Sequence, residues 1–80
     1  MPLEVVMPAL SPEMEEGLIV RWLVEPGARV NKGDLLAEIE TVKATVELEA
    51  EASGVIDEIL AQAGGDPVAV GVPIVRIRTD

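Results

Sequence analysis

The 80-residue sequence predicts a single all-β domain, folded as a sandwich or barrel. Three observations lead to this prediction: period-two alternation of apolar and charged residues, closely spaced turns containing Gly or Pro, and an internal repeat. Short strands separated by such turns are typical of antiparallel sandwiches and barrels. The alternative is a helix over residues 37–52, which are rich in Ala and Glu. It fits less well, because Val46, Leu48 and Ala50 recur every second residue rather than every third or fourth.

The strands are delimited by the turns between them. Pro8 ends the first strand, and Pro26 with Gly27 closes the second, because Pro presets φ and Gly accepts a positive φ. Further turns are expected at residues 31–34 and 64–67, and Gly54 opens the strand that follows it. The predicted strands are residues 3–7, 17–24, 35–41, 44–50, 55–60 and 74–78.

An internal repeat relates the two halves of the chain. Gly17 matches Gly54, and the same offset of 37 residues relates Gly27 to Gly64; Gly65 is an extra residue. Beyond it the offset is 38, and the matched pairs are Val30 and Val68, Gly33 and Gly71, Leu36 and Ile74, Ile39 and Ile77, and Thr41 and Thr79. Two copies are too few for a solenoid, so we expect two similar halves around one shared core.

Lys43 is one of only two lysines and lies between two predicted strands. In these strands the apolar side chains alternate with charged ones, which places one set in the core and the other in water. Lys43 is therefore predicted to be held at a hairpin tip as a candidate attachment point. The repeat matches the corner at Val42 and Lys43 with the corner at Asp80, so we expect the tip to lie opposite the chain termini.

Composition excludes several classes of function. The formal net charge is −9, Cys and His are absent, and Trp22 is the only aromatic residue. A disulfide scaffold, a thiolate nucleophile, an imidazole base and a Cys/His zinc site are thereby excluded. Acidity and the lack of aromatic platforms argue against nucleic acid. No apolar run reaches the roughly 20 residues of a membrane span, and no signal peptide is visible after Met1. An intracellular domain without membrane contact is expected.

A set of residues spread along most of the chain forms a recognisable motif. These residues are Met7-Pro8-Ala9-Leu10-Ser11-Pro12-Glu13-Met14, Glu16-Gly17, Trp22, Gly27, Val30, Gly33-Asp34, the run from Leu36 to Thr41, Lys43-Ala44, Glu47, Glu49, Ala50 and Gly54. Through them the sequence resembles the lipoyl domains of the biotinyl/lipoyl attachment family, over roughly residues 3–77. It is most similar to the N-terminal lipoyl domain of the dihydrolipoamide acyltransferase (E2) of a pyruvate-type 2-oxo acid dehydrogenase complex.

The resemblance implies a flattened barrel of two antiparallel sheets with quasi-two-fold symmetry. It also implies that Lys43 carries lipoate in amide linkage, with residues 1–80 forming one lipoyl domain cut from a longer acyltransferase. The implied function is a swinging-arm carrier that has no catalytic group of its own. The implied location is the bacterial cytoplasm, or the mitochondrial matrix if the source is eukaryotic.

The resemblance further implies a set of partners. They are a lipoyl ligase or octanoyl transferase, the 2-oxo acid decarboxylase (E1), the acyltransferase core of E2 and dihydrolipoamide dehydrogenase (E3). The residues expected to form the recognition surface around Lys43 are Glu40, Thr41, Val42, Ala44, Ser11 and Pro12.

Val42 departs from the family motif Glu-Thr-Asp-Lys-Ala, which has Asp at this position. An Asp would add a hydrogen-bond acceptor and a negative charge beside the arm, so the departure bears on recognition by the decarboxylase. Val42 either suits a divergent partner or is an engineered change.

Three other functions fit the sequence less well. A biotinyl carrier of the same fold would have Met on both sides of the lysine, where this chain has Val42 and Ala44. An unmodified interaction domain has only Val42 in its favour. A free-standing enzyme is the weakest, because a chain without His or Cys offers no convergent nucleophile and base.

Overall fold

The computed structural model describes residues 2–80 and confirms the all-β prediction. The eight strands are β1 (Pro2–Val6), β2 (Glu16–Trp22), β3 (Arg29–Val30), β4 (Leu35–Glu40), β5 (Thr45–Glu49), β6 (Gly54–Ile59), β7 (Val68–Ala69) and β8 (Pro73–Thr79). The six longer strands lie within one or two residues of their predicted bounds. Across the described part of the chain, no helix has the length and apolar character needed to cross a bilayer.

Two four-stranded antiparallel sheets form the barrel, and an approximate two-fold relates them. One sheet has the order β1-β8-β6-β3 and the other β5-β4-β2-β7. Exchanging β2 with β6, β3 with β7, β4 with β8 and β5 with β1 converts one order into the other. The register agrees as well, since Ile19 pairs with Ile39 in one half and Ile56 with Ile77 in the other. The predicted repeat is thus a symmetry of strand pairing.

Each half contains a β-bulge where the predicted alternation fails. Leu36 and Ala37 are adjacent in β4 and both are fully buried, because the register with β5 shifts between Leu35 and Ala37. In the other half, Ile74 and Val75 are both buried, where the register of β8 with β1 also shifts. A bulge inserts one extra residue and turns two consecutive side chains toward the core. Simple alternation along residues 35–41 was therefore only partly right.

Four glycines at the repeat's turns have a positive φ, as the sequence predicted. Gly27 and Gly64 have φ of 92° and 74°, and Gly33 and Gly71 have φ of 95° and 94°. Gly without a Cβ adopts these angles at little steric cost. The turn chemistry of the two halves is therefore equivalent.

The core lies between the two sheets and is entirely apolar within residues 2–80. Ile39 and Ile77 occupy equivalent central positions and are fully buried. Trp22 packs on the margin of this core, and its Nε1–H donates to the carbonyl oxygen of Ala61 at 2.8 Å. The remaining core residues are Val5, Met7, Ile19, Val30, Leu36, Ala37, Leu48, Ala50, Ile56, Ile74 and Val75.

Lys43 and Asp80 occupy the two corners that the symmetry relates. Lys43 lies in the β4–β5 connection of one sheet, whereas Asp80 follows β8 of the other sheet and contacts Arg29 of β3. Lys43 instead contacts Glu13 of the β1–β2 loop. That the tip lies opposite the chain termini stays a prediction.

Candidate functional site

Thr41 organises the hairpin tip that carries Lys43. Its N–H donates to the carbonyl oxygen of Ala44 at 2.8 Å, and its hydroxyl donates to the same oxygen at 2.9 Å. The hydroxyl oxygen also accepts the N–H groups of Lys43 at 3.3 Å and Ala44 at 3.2 Å. One side chain therefore takes part in three hydrogen bonds across four residues. A Ser or Thr hydroxyl can stabilise a turn in this way.

No residue of the hairpin tip adopts the left-handed backbone conformation. Within residues 2–80, every residue with a positive φ is a glycine, so Val42 and Lys43 have ordinary backbone conformations. A β-branched Val is tolerated at position 42 for this reason. Its side chain is fully exposed. The hydrogen-bonded turn thus exposes the side chains of both Val42 and Lys43 to solvent.

A groove of about 460 Å³ lies between the tip and the β1–β2 loop. Across it, Lys43 Nζ lies 3.6 Å from Glu13 Oε2, with 75% of the lysine side chain exposed. An ion pair between two exposed side chains contributes little to stability. Lys43 is therefore available for modification at small cost to the fold. The residues lining the groove are Ser11, Glu13, Met14, Glu15, Glu16, Thr41, Val42 and Lys43.

The structure brings only some of the predicted recognition residues together. Ser11, Thr41 and Val42 line the groove with Lys43. Pro12 is exposed on the loop and lies outside that lining. Glu40 and Ala44 are exposed beside the tip, and they contribute to the outer surface of the hairpin rather than to the groove.

Glu13 and Met14 belong to the site. The resemblance placed their loop near Lys43 through Ser11 and Pro12, but it did not single out either residue. Met14 lines the groove and is half-buried, and its Sδ accepts a hydrogen bond from the N–H of Leu10 at 3.2 Å. The end of the loop is tied to the segment after β7, because the N–H of Val70 donates to the backbone carbonyl oxygen of Glu15 at 3.0 Å. The available signal was loop length: residues 7–15 connect β1 to β2, whereas only residues 50–53 make the equivalent connection from β5 to β6.

The electrostatics of the two sheets differ. In the sheet of β1 and β8, a hydrogen bond to Glu4 raises the pKa of Arg76, with further attraction from Glu58 and Asp57. In the same sheet, a hydrogen bond to Asp80 raises the pKa of Arg29 in β3. The sheet of β4 and β5 instead exposes Glu40 beside the tip, and Glu47 and Glu49 lie farther along β5. Since Glu13, Glu15 and Glu16 line the groove together with Lys43, the surroundings of Lys43 are acidic.

The site fits a cofactor attached to Lys43. An exposed amine at a hairpin tip suits amide linkage to a carboxylic acid cofactor, and the groove beside it leaves room for a flexible chain. Residues 2–80 contain no group of three or more Asp, Glu, His or Cys side chains arranged to hold a metal ion.

Known proteins resemble the chain over nearly its whole length. Residues 3–77 match the Biotin_lipoyl family, described as biotin-requiring enzymes. The solution structure of the lipoyl domain of the 2-oxoglutarate dehydrogenase complex from Azotobacter vinelandii superposes with a TM-score of 0.75 at 32% identity, covering 95% of each chain.

Longer relatives contain a similar segment. The dihydrolipoyllysine-residue acetyltransferase component of the pyruvate dehydrogenase complex of Rhizobium meliloti is 50% identical over all 80 residues, which span 18% of that protein. The pyruvate dehydrogenase E1 component subunit beta of the same organism is also 50% identical, over 17% of its length. The acetyltransferase component from Zymomonas mobilis is 52% identical over 71 residues, 89% of this chain and 16% of that protein.

The chain thus spans less than a fifth of the relatives it matches, and the likeness concerns this one module. Its strand order, its exposed tip lysine and its match along residues 3–77 agree with one another. The chain belongs to the biotinyl/lipoyl attachment family and is a lipoyl domain, a swinging-arm carrier module.

Proposed function

We propose that Lys43 carries lipoate in amide linkage to Nζ and that this chain serves the pyruvate dehydrogenase complex. The observation that carries the proposal is the position of Lys43 on a hairpin tip that Thr41 fixes, with most of the lysine side chain exposed. When bound, the lipoyl group supplies a dithiolane that can take up acyl groups and reducing equivalents.

The chain's own residues hold and present the arm. A free lysine, with a reference pKa of about 10.4, is mostly protonated at neutral pH, so a ligase or octanoyl transferase has to deliver an activated acyl group. Thr41 keeps the backbone of the tip in one shape for that enzyme. Once amidated, Lys43 loses its positive charge and its ion pair with Glu13. The arm is then free to move away from the loop.

The domain has no catalytic group of its own in this proposal, and its contribution is tethering. We propose that the tip visits the decarboxylase (E1), the acyltransferase core (E2) and dihydrolipoamide dehydrogenase (E3) in turn. A tethered arm meets each partner at a high effective concentration. The pyruvate assignment rests on the names of the Rhizobium meliloti and Zymomonas mobilis relatives. We further propose that the chain is part of a longer acetyltransferase, as two of these relatives are. Glu40, Ala44, Ser11 and Pro12 would then belong to the surface that the partner enzymes recognise.

Intact-mass measurement after co-expression with a lipoate ligase tests the attachment. The parent domain and Lys32→Gln, a control at the other lysine, should each gain one lipoyl group, whereas Lys43→Gln should gain none. No gain on the parent domain, with a ligase that modifies another lipoyl domain in the same experiment, would refute the proposal.

The same measurement addresses the two alternatives. A gain of one biotinyl group in the presence of biotin ligase would identify a biotinyl carrier. An unmodified interaction module would gain neither group. Val42 and Ala44, in place of the flanking methionines of biotinyl carriers, favour lipoate.

A further inference from the structure

We propose that the groove beside Lys43 is a resting site for the lipoyl arm, with Met14 as its floor and Val42 as its outer wall. This site depends on the proposed lipoylation of Lys43. In this proposal Val42, which departs from the family motif, makes an apolar contact with the lipoyl arm.

The position of Lys43 makes the groove accessible to the arm. Lys43 is one of the lining residues, so an arm attached to its Nζ begins at the groove. The volume of about 460 Å³ lies within the range of small-molecule sites, roughly 300–1,000 Å³. Because the arm is tethered, docking does not carry the translational cost that a free ligand would meet. Weak apolar contacts are therefore sufficient to populate the docked arm.

Met14 provides a fixed apolar floor. Its Sδ is held by the N–H of Leu10, and its Cε packs so tightly that a Cβ on Gly17 would lie only 2.8 Å away. A thioether is polarizable and adapts to irregular apolar surfaces, which suits a hydrocarbon chain ending in two sulfurs. The floor is in position before any arm is attached.

Val42 adds an apolar wall that is otherwise uncovered. Its exposure is 103%, whereas the other exposed large apolar side chains of residues 2–80 range from 36% to 44%. Contact with a hydrocarbon arm removes part of this surface from water, which is favourable. Asp at this position would replace the wall with a charged, hydrated group and weaken the contact.

Amidation changes the contacts that the Lys43 side chain makes in the groove. In the unmodified domain, Glu13 lies 3.6 Å from the ammonium group of Lys43. The amide has no charge, so this attraction is lost. Glu13, Glu15 and Glu16 are exposed and stay hydrated, and the neutral arm takes the apolar surface of Met14.

Methyl NMR tests the contact directly, using domains labelled at the Met methyl groups. Lipoylated parent domain is compared with Lys43→Gln, which lacks both the charge and the arm. We expect the Met14 methyl resonance to differ between them and to show nuclear Overhauser effects to the arm. Met7 is fully buried in the core and serves as the internal reference. Val42→Asp should abolish the nuclear Overhauser effects between Met14 and the arm. The control Val20→Asp changes an exposed Val on β2, away from the groove lining, and should leave them intact.

A chemical measurement gives the size of the effect. The reduced arm is treated with iodoacetamide, and its rate is compared with that of free dihydrolipoamide. An arm docked for about two-thirds of the time reacts about threefold more slowly, since only the undocked fraction is accessible. Val42→Asp should restore the faster rate and Val20→Asp should not.

Two negative results are distinguishable. Absence of the lipoyl mass gain would refute the lipoylation of Lys43. A confirmed mass gain without effects between Met14 and the arm, or with alkylation as fast as that of free dihydrolipoamide, would refute the resting site alone.

Discussion

Glu38 and Arg76 occupy equivalent positions in the two halves of the barrel, carry opposite charges, and are each paired next to a further register shift. This shift lies between Ile19 and Arg21 in one half and between Ile56 and Glu58 in the other. Glu38 contacts Arg21 at 2.9 Å, and Arg76 contacts Glu58 at 3.0 Å. Arg21 and Glu58 are themselves equivalent in the repeat. Both halves therefore have an ion pair at this position, but the positions of the acidic and the basic residue are exchanged. The geometry of the strand pair determines that the two side chains meet, and either orientation of the charges satisfies it.

Removing Arg76 should destabilise the domain more than removing Arg21. Arg76 also contacts Glu4 at 3.2 Å and Asp57 at 3.9 Å, and it is the less exposed of the two side chains, at 32% against 66%. Arg76→Gln leaves Glu4 and Glu58 without their cation, although Asp57 keeps Arg78 at 3.0 Å. Arg21→Gln leaves only Glu38 without one. Thermal unfolding followed by circular dichroism should give a lower midpoint for Arg76→Gln. Equal midpoints would show that the extra contacts have no effect in solution.

Asp80 should titrate at lower pH than an ordinary aspartate. A hydrogen bond from Arg29 lowers the pKa of Asp80, and the positive charge of Arg29 adds to this. Because the folded-state pKa lies below the unfolded one, this pair stabilises the fold above the unfolded pKa, and the stabilisation is lost as the pH falls through the folded pKa. Carboxyl-carbon NMR should show the pKa of Asp80 rising in Arg29→Gln. An unchanged pKa would contradict the pairing.

Gly54→Ala should be strongly destabilising, whereas Gly65→Ala should be tolerated. A Cβ on Gly54 would overlap the carbonyl group of Arg78 in β8, and backbone at a strand pair cannot move aside. We expect a loss of about 3 kcal/mol or more, at the upper end of overpacking effects. At Gly65 the nearest atom is the Gln62 carbonyl oxygen, 3.6 Å from the added Cβ. There, reduced freedom of the unfolded chain should stabilise by up to about 1 kcal/mol. Urea unfolding of both variants measures the difference.

Thr41→Val should slow lipoylation more than it lowers stability. The substitution keeps the shape of the side chain but removes a hydroxyl that takes part in three hydrogen bonds at the tip. The expected stability loss is about 1 kcal/mol, as for a typical hydrogen-bonding group. Thr45→Val, at an exposed position on β5, is the matched control. Initial rates of lipoyl transfer by a ligase should fall for Thr41→Val only, and equal rates in both variants would show that the tip's shape is not what the ligase reads.

Val42→Asp should increase the rate of reductive acylation by a pyruvate-type decarboxylase. The substitution restores the acceptor and the negative charge of the family motif beside the arm, and it also removes the apolar wall proposed above. Val20→Asp controls for added charge elsewhere on the surface. The measurement is the initial rate of acetyl incorporation into lipoylated domain. An unchanged or lower rate would show that Val42 suits the partner of this protein.

The bulges show where sequence patterns stop being informative. Period-two alternation correctly placed Leu48 and Ala50 in the core and left Glu47 and Glu49 exposed. It could not indicate that Leu36 and Ala37 are buried side by side, because a bulge depends on the register of the partner strand. Register is a relationship between two segments, and the pattern within one of them does not contain it.

The groove shows the same limit at the functional site. Lys43 and its hairpin were evident from the flanking strands and from the motif. The contact of Glu13 with Lys43 was not, since it joins residues 30 positions apart on a loop of irregular structure. The resemblance placed Ser11 and Pro12 of this loop around Lys43, but nothing in the sequence singled out Glu13.

By itself, the sequence determined the all-β class, the turns at Gly27, Gly33, Gly64 and Gly71, the two-half repeat and the lysine at the tip. These follow from local chemistry, because alternation, proline and glycine restrict each segment independently of the others. The tertiary structure alone decided that β4 joins β2 and β5 while β8 joins β6 and β1, that each half has a bulge, and that the loop carrying Glu13 and Met14 forms a groove against Lys43. The physical reason is that packing two sheets around one core fixes the distances between segments that are far apart in the chain.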